Sequence, residues 1–275
     1  MKKEFKEGFE EQGTPDMKYY AFDWDDNIVH MPTKIILKND VGDEVGMSTT
    51  DFAKYREKIG KGPIDYNGET IVGYADNAFR NFRTEGDKTF LIDAMKAEQG
   101  PAFEDFKEAI NNGSVFAIIT ARGHNPRTLK QAVYNYIVDG FGGIDKDQLV
   151  KNLRKYRDFT DEEEMSDEEM IRTYLDLNRY HPVSFGSEKG ATSPEELKIM
   201  AMDEFVSYIK ELAHELNKKA YLKNDVKNRF VPKKPSIGFS DDDLKNIEVM
   251  KKHYEGKPED KVRTYFTGKG KEEFK

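Results

Sequence analysis

Tyr19-Tyr20-Ala21-Phe22-Asp23-Trp24-Asp25-Asp26-Asn27 changes character midway: an aromatic and apolar run gives way to three carboxylates within four positions. Apolar residues followed by turn formers predict a buried strand over 18–23. Asp23 and Asp25 are two apart, a spacing that points both side chains the same way on a strand or just past its end. Carboxylates held that close repel, so one keeps a proton or a cation sits between them. Mg²⁺ suits such a pair, since it favours one or two carboxylates together with substrate phosphate. An Asp-x-Asp is also the composition of an ordinary solvated turn, so the remaining chain must decide.

Downstream, Lys34-Ile35-Ile36-Leu37-Lys38 reads as a strand, Asn39-Asp40-Val41-Gly42-Asp43 as a turn and Glu44-Val45-Gly46-Met47 as the returning arm of a hairpin. Ser48-Thr49-Thr50-Asp51 has N-cap chemistry ahead of a helix from Phe52 to Ile59. Residues 60–100 are Gly-punctuated and aromatic, and their length predicts a small insert with elements of its own. A helix predicted over 101–111 stops at Asn111-Asn112-Gly113. Ser114-Val115-Phe116-Ala117-Ile118-Ile119-Thr120 has the continuous apolar character of a central parallel strand. Its exit loop, Ala121 to Asn125, leads into an amphipathic helix from Pro126 to Val138, completing the rhythm of a parallel α/β sheet.

Residues 143–181 are highly charged, with acids at predicted helix starts in Thr160-Asp161-Glu162-Glu163-Glu164 and Ser166-Asp167-Glu168-Glu169. Such runs are expected to be solvated helix ends rather than metal sites. Pro182-Val183-Ser184-Phe185 reads as a short strand, and Ser193-Pro194-Glu195-Glu196 opens a helix running to about Asn217. Lys218 to Lys234 reads as a basic linker, Ser236-Ile237-Gly238-Phe239 as a strand ending in Ser240-Asp241-Asp242-Asp243, and Leu244 to Tyr254 as a helix. Val262 to Phe266 is the last predicted strand, and the tail after Gly268 is expected to fray.

Composition narrows the function classes. Of 275 residues, 37% are apolar and 35% charged, yet 18 Phe and 14 Tyr suffice for a core. A net charge of −8 disfavours nucleic acid as a partner. The absence of Cys excludes disulfides, Cys-ligated zinc and thiol nucleophiles. The N-terminus has no apolar signal region and no apolar run approaches the roughly 20 residues of a membrane helix, so a soluble, cytoplasmic protein without membrane contact is expected.

Three predicted strands therefore end in reactive groups: Asp23 with Asp25, Thr120, and Asp241 with Asp242. Sites in open α/β sheets gather at the carboxyl ends of strands, so adjacency would bring all three into one crevice. In this ordered set the chain resembles the haloacid dehalogenase superfamily. Phe22-Asp23-Trp24-Asp25 is similar to its first motif, Ala117-Ile118-Ile119-Thr120 to its second, and Phe239-Ser240-Asp241-Asp242-Asp243-Leu244-Lys245-Asn246 to its fourth. The resemblance covers roughly 17–30, 101–140 and 190–267. It implies a Rossmann-like three-layer α/β/α sandwich with a parallel central sheet and a cap insertion after the first strand. The core would comprise 1–32 plus 101–275, the cap 33–100, with a second insertion at 143–185.

The resemblance also implies roles. Asp23 would be the nucleophile and Asp25 the general acid and base. Mg²⁺ would be held by the Asp23 carboxylate, the Asp25 carbonyl and Asp241, with Asp242 close by. Thr120, followed by Ala121 and Arg122, would bind the phosphoryl group of a small phosphorylated substrate. Two lysines compete for the third motif: Lys198, early in a helix, and Lys189, in a Gly-flanked loop; the more rigid helix favours Lys198. Asp26-Asn27 departs from the Gly-Thr or Asp-Thr of common relatives, although Asn still offers a donor. Arg122 and His124 either meet the substrate or are a loop charge and a solvated imidazole, while Trp24 should face away from the acids and pack. The expected activity is phosphomonoester hydrolysis. A non-catalytic assembly scaffold is the alternative, and a polynucleotide phosphatase is disfavoured by the lack of a basic track.

Overall fold

The first strand, β1 (Met17–Phe22), stands one residue earlier than its apolar run predicts. The protein is described by a computed structural model covering residues 17–156, 165–186, 193–223, 234–268 and 272–273. After β1 come β2 (Val29–His30), β3 (Lys34–Asn39), β4 (Glu44–Ser48) and α1 (Thr49–Tyr55). They are followed by β5 (Ile64–Tyr66), β6 (Glu69–Tyr74), α2 (Asp87–Ala94), β7 (Glu98–Gln99), α3 (Phe103–Asn111) and β8 (Phe116–Thr120). Next are α4 (Pro126–Val138), α5 (Lys146–Tyr156), α6 (Asp167–Leu177), β9 (Arg179–Pro182) and α7 (Pro194–Lys223). The chain closes with β10 (Pro235–Asp241), α8 (Leu244–Glu255), β11 (Val262–Phe266) and β12 (Glu272–Glu273).

The main sheet has the order β12-β11-β10-β1-β8-β9. Its five strands from β11 to β9 are parallel, with β12 an antiparallel edge. The chain winds outward from β1 to β8 and β9, then returns to β10 and β11 on the other side of β1. The winding thus reverses between β1 and β10, where an open α/β sheet leaves a crevice at its carboxyl end.

Alternation along the strands feeds two cores. Phe22, Phe116 and Ile118 pack with residues of α2 to α6, including Phe90, Phe106, Leu129, Leu149 and Tyr174. Tyr19, Ala21, Ala117, Ile119 and Phe239 pack with Phe205 and Ile209 of α7 and Ile247 and Met250 of α8. Because β1 and β8 are covered on both faces, they lack a polar alternation. Local chemistry sets the helix starts: Asn125 accepts from Arg127 N with Pro126 at the first position of α4, and Ser166 with Glu169 forms a capping box on α6.

A separate antiparallel sheet, β4-β3-β6-β5, has its own core of Ile35, Leu37, Met47, Ile64 and Ile71. Asn67 and Gly68, both with positive φ, turn β5 into β6. The stretch 33–100 divides, however: Phe90, Ala94 and Ala97 pack into the main core beside Trp24. Trp24 packs as expected, stacked on Tyr136 at 5.7 Å and tilted against Phe90 at 5.6 Å. Residues 143–185 are likewise built into the core through α5, α6 and β9.

Three local expectations are corrected. The strand sought at 182–185 lies at Arg179–Pro182, where Tyr180 packs against the core and 183–186 turn. Helix α7 runs to Lys223 rather than Asn217, because its Lys-rich end is also a good helix former. Glu272–Glu273 pairs with β11 within the tail expected to fray. The predicted helix start at 160–164 and most of the basic linker at 224–233 lie outside the described residues. No helix among the described residues is long and apolar enough to cross a membrane.

Phe106 joins α3 to the sheet, edge-on to Phe22 at 5.6 Å and to Phe116 at 5.4 Å, and is fully buried. Phe106→Ala should cost about 3–5 kcal/mol in denaturant unfolding followed by the fluorescence of Trp24. A loss below about 1 kcal/mol would mean that α3 is not packed on the sheet in this way.

Candidate active site

The two strands at the winding reversal are stitched together at their carboxyl ends. The Asp23 N–H donates to Ser240 O at 2.9 Å. Asn27, fully buried, donates from Nδ2 to Asp23 O, Ser240 O and Ser240 Oγ at 3.0–3.1 Å, and accepts from Thr267 Oγ1 at 2.8 Å. The departure at Asn27 is therefore a structural donor, holding the exits of β1, β10 and β11 in register. Asp26 takes a left-handed backbone conformation, φ 54°, which Asp tolerates better than most residues. Its carboxylate accepts from Thr49 Oγ1 and Thr50 Oγ1, tying the loop to the start of α1. Gly100 backs this loop, and a Cβ there would meet Asn27 O at 2.4 Å.

The stitching converges three carboxylates. Asp23, Asp241 and Asp242 each offer an oxygen within 4.8 Å of the others. Lys198, on the second turn of α7 and 2% exposed, places Nζ 3.0 Å from Asp23 Oδ1 and 2.7 Å from Asp241 Oδ2. Asp241 is further held by its bonds from Asp243 N and Asn246 Nδ2. One ammonium thus faces three carboxylates, Asp23 and Asp241 buried and Asp242 partly so. Burial pushes Asp23 up to about 8, with Lys198 opposing the rise and Asp241 and Asp25 adding to it. Burial, then Asp241 and Asp23, push Asp242 up to about 9. Burial alone would lower Lys198, but Asp23 and Asp241 more than offset it and hold the ammonium charged.

The cluster fits a divalent cation. Its donors are all hard oxygens, and Asp23 Oδ1 is buried with no donor in hydrogen-bond geometry despite its closeness to Lys198. Oxygens bound to one Mg²⁺ at about 2.0–2.1 Å lie close enough together that small side-chain movements would complete the site. The Asp25 carboxylate lies outside this group.

Asp25 belongs to a second network. Arg122, 1% exposed, donates from Nε and Nη2 to its two oxygens at 2.7 and 2.6 Å. The same guanidinium reaches Thr33 Oγ1 at 3.2 Å and His124 Nε2 at 3.1 Å, and lies over the rings of Phe82 and Phe90. His124 Nδ1 is 2.9 Å from Asp87 Oδ1. Burial, then Arg122, lowers the proton affinity of His124. A neutral imidazole with its proton on Nδ1 satisfies both contacts, donating to Asp87 and accepting from Arg122. Arg122 and His124 are therefore neither a free loop charge nor a solvated ring.

A cavity of about 650 Å³ opens over both networks. Asp23, Asp25, Thr120, Ala121, Arg122, Lys198, Asp241 and Asp242 all line it, so these predicted residues share one chamber. Thr120 is 1% exposed at the end of β8, while Ala121 is exposed. Lys189 lies outside the described residues. Sequence reasoning missed Thr33 and Asp87, whose signal is only positional, and gave Asn246 no contact. No protein family, curated protein or solved structure matches the chain.

Asp23 and Asp242 have proton affinities in the fold above their ordinary value of 3.8. Between about pH 4 and 9 the cation-free fold therefore binds more protons than the unfolded chain, and these groups make stability fall as pH rises. A bound cation must displace those protons, so excess Mg²⁺ should raise Tm more at pH 9 than at pH 6, relative to chelator, and Asp241→Asn should remove the difference. An unchanged Tm at both values would contradict the site.

Proposed function

We propose that the chain is a Mg²⁺-dependent phosphomonoester hydrolase of the haloacid dehalogenase type, acting on a small phosphorylated substrate through an aspartyl-phosphate. The observation that carries this reading is the convergence of Asp23, Asp241 and Asp242 oxygens within 4.8 Å of one another beside one ammonium, in a chamber that Asp25 and Thr120 also line. In this reading the parallel sheet with helices on both faces is a three-layer sandwich, and the small sheet of residues 34–74 is a cap.

Asp23 attacks phosphorus, the ester P–O bond breaks, and the departing oxygen takes a proton from Asp25. Asp25 then removes a proton from water, whose oxygen attacks the acyl phosphate to release phosphate and restore Asp23. Arg122 fixes Asp25 by two bonds, one to each oxygen, leaving further lone pairs for this work. Thr120 donates its hydroxyl to the phosphoryl group, and Lys198 offsets charge on Asp23. The chemistry supplied by Mg²⁺ when bound, through Asp23, Asp241 and Asp242, is compensation of the anionic nucleophile and phosphate.

The scaffold reading has one observation in its favour: Asp23 and Asp241 already share Lys198, and Asp25 already has Arg122. It leaves unexplained why a single ammonium is set against three clustered carboxylates, Asp23, Asp241 and Asp242. With Mg²⁺, the purified chain should hydrolyse small phosphomonoesters. Asp23→Asn should lower kcat at least about a thousandfold, and Asp25→Asn about 10²–10⁴-fold. No turnover across a broad monoester panel would overturn the proposal.

A further inference from the structure

The chamber is lined unevenly. One part of its lining is carboxylate, hydroxyl and ammonium, but another carries four aromatic rings: Phe52 of α1, Tyr74 at the end of β6, and Phe79 and Phe82 in the segment after it, with Phe82 also under the Arg122 guanidinium. Phe52 lies edge-on to Phe79 at 5.6 Å and to Tyr74 at 6.3 Å, and Phe79 is 6.4 Å from Phe82. The core of the small sheet is closed by Ile35, Leu37, Met47 and Ile71, each at most 2% exposed, and Phe52, Phe79 and Phe82 pack against its rim. Those three rings are only half-buried by this packing, and Tyr74 is 41% exposed, so all four keep surface toward the chamber they line. Arg83 lines the chamber beside them, and its guanidinium has no ion-pair partner among the described residues.

The rings are also fixed relative to the carboxylates. Gly123 N, three residues after Thr120, donates to Phe82 O at 2.7 Å, and Arg83 bridges Gly123 as a strand would. Arg56, at the C-terminal cap of α1, reaches across to Asp243, after β10, at 3.1 Å. Rings and carboxylates are thus held in one geometry, with a volume within the roughly 300–1,000 Å³ that small ligands occupy. Half-exposed rings sharing a chamber with a polar cluster suit a ligand with a flat apolar part and an anionic end.

We propose that the monoesters cleaved here carry a leaving group bearing a flat aromatic ring, the base of a nucleoside or the ring of an aryl alcohol, stacked on the Phe52–Tyr74–Phe79–Phe82 wall beside Arg83, rather than a base-free sugar or other alcohol without such a ring. The proposal rests on the hydrolase reading for its phosphoryl end only. Stacking on aromatic side chains tolerates any ring with a π-face, and an unpaired guanidinium adds a donor for ring acceptors.

The test compares kcat/KM, with Mg²⁺, for adenosine 5′-monophosphate, phenyl phosphate and glycerol 3-phosphate in wild type, Phe79→Leu and Tyr74→Leu. Leucine keeps apolar bulk but removes the π-face, and variant-to-wild-type ratios cancel intrinsic leaving-group reactivity. The aromatic-to-aliphatic ratio should fall on the order of tenfold in each variant. A fall confined to adenosine 5′-monophosphate assigns the nucleoside, and one confined to phenyl phosphate assigns the aryl alcohol. Equal losses on all three esters, or none, would overturn the proposal. Calorimetric titration of Asp23→Asn with Mg²⁺ separates the two readings. Tighter binding of adenosine 5′-monophosphate or phenyl phosphate than of glycerol 3-phosphate supports the aromatic wall even if no ester is hydrolysed, an outcome that would remove only the hydrolase. Binding without that preference, or no binding, overturns the aromatic assignment.

Discussion

A single buried ammonium lies between two carboxylates from opposite ends of the chain: Lys198, between Asp23 and Asp241. Three elements depend on that contact, since it pins α7 across the exits of β1 and β10. Buried ion pairs are weak sources of net stability, but removing one partner from such a pair is costly. Here the balance is uneven, because Asp242 adds a third carboxylate to the same pocket. The excess negative charge can be relieved by protons or by a cation. Proton affinities pushed up to about 8 and 9 are the first form of relief. A cation is the second, and it would favour the ionised form of Asp23 that the proposed nucleophile requires.

The fold delivers this imbalance by topology. The winding reverses between β1 and β10, so their carboxyl ends flank the crevice, and β8 brings Thr120 in from the other side of β1. Arg122 and His124 extend the constellation away from the sheet, through Asp87 at the start of α2. Asp25, the acid–base candidate, is thus oriented by Arg122, and aromatic rings of residues 52–82 line the same chamber. Residues 34–83 therefore line the same chamber as the carboxylates, through Phe52, Tyr74, Phe79 and Phe82, and touch the Asp25 clamp through Phe82.

Much of this was legible in the residues. Chemistry concentrated at strand ends is a strong sequence signal, and Asp23, Asp25, Thr120, Lys198, Asp241 and Asp242 do share a cavity. Helix α4 and strand β11 could be read to the residue, since Asn125-Pro126 caps the one and a β-branched and aromatic run marks the other. Residues 60–100 resist because their strands are short, and only the Asn67-Gly68 turn, with both residues at positive φ, marks a hairpin among them. Strand β9 was misplaced because Arg179 and His181 carry no apolar pattern, and only its pairing with β8 defines it. The Arg122–Asp25 clamp spans 97 positions and leaves no local trace. Asn27 looked like a departure from a motif because its partners, Ser240 and Thr267, lie more than two hundred residues away.

The central claim is that these carboxylates form one cation site at the end of β1. Soaking crystals with Mn²⁺ and recording anomalous difference density tests it without reference to turnover. A single strong peak is expected within about 2.0–2.3 Å of oxygens from Asp23 and Asp241, with Asp242 close by. A map with no peak there, or with Mn²⁺ bound only elsewhere while Lys198 still bridges Asp23 and Asp241, would contradict the account.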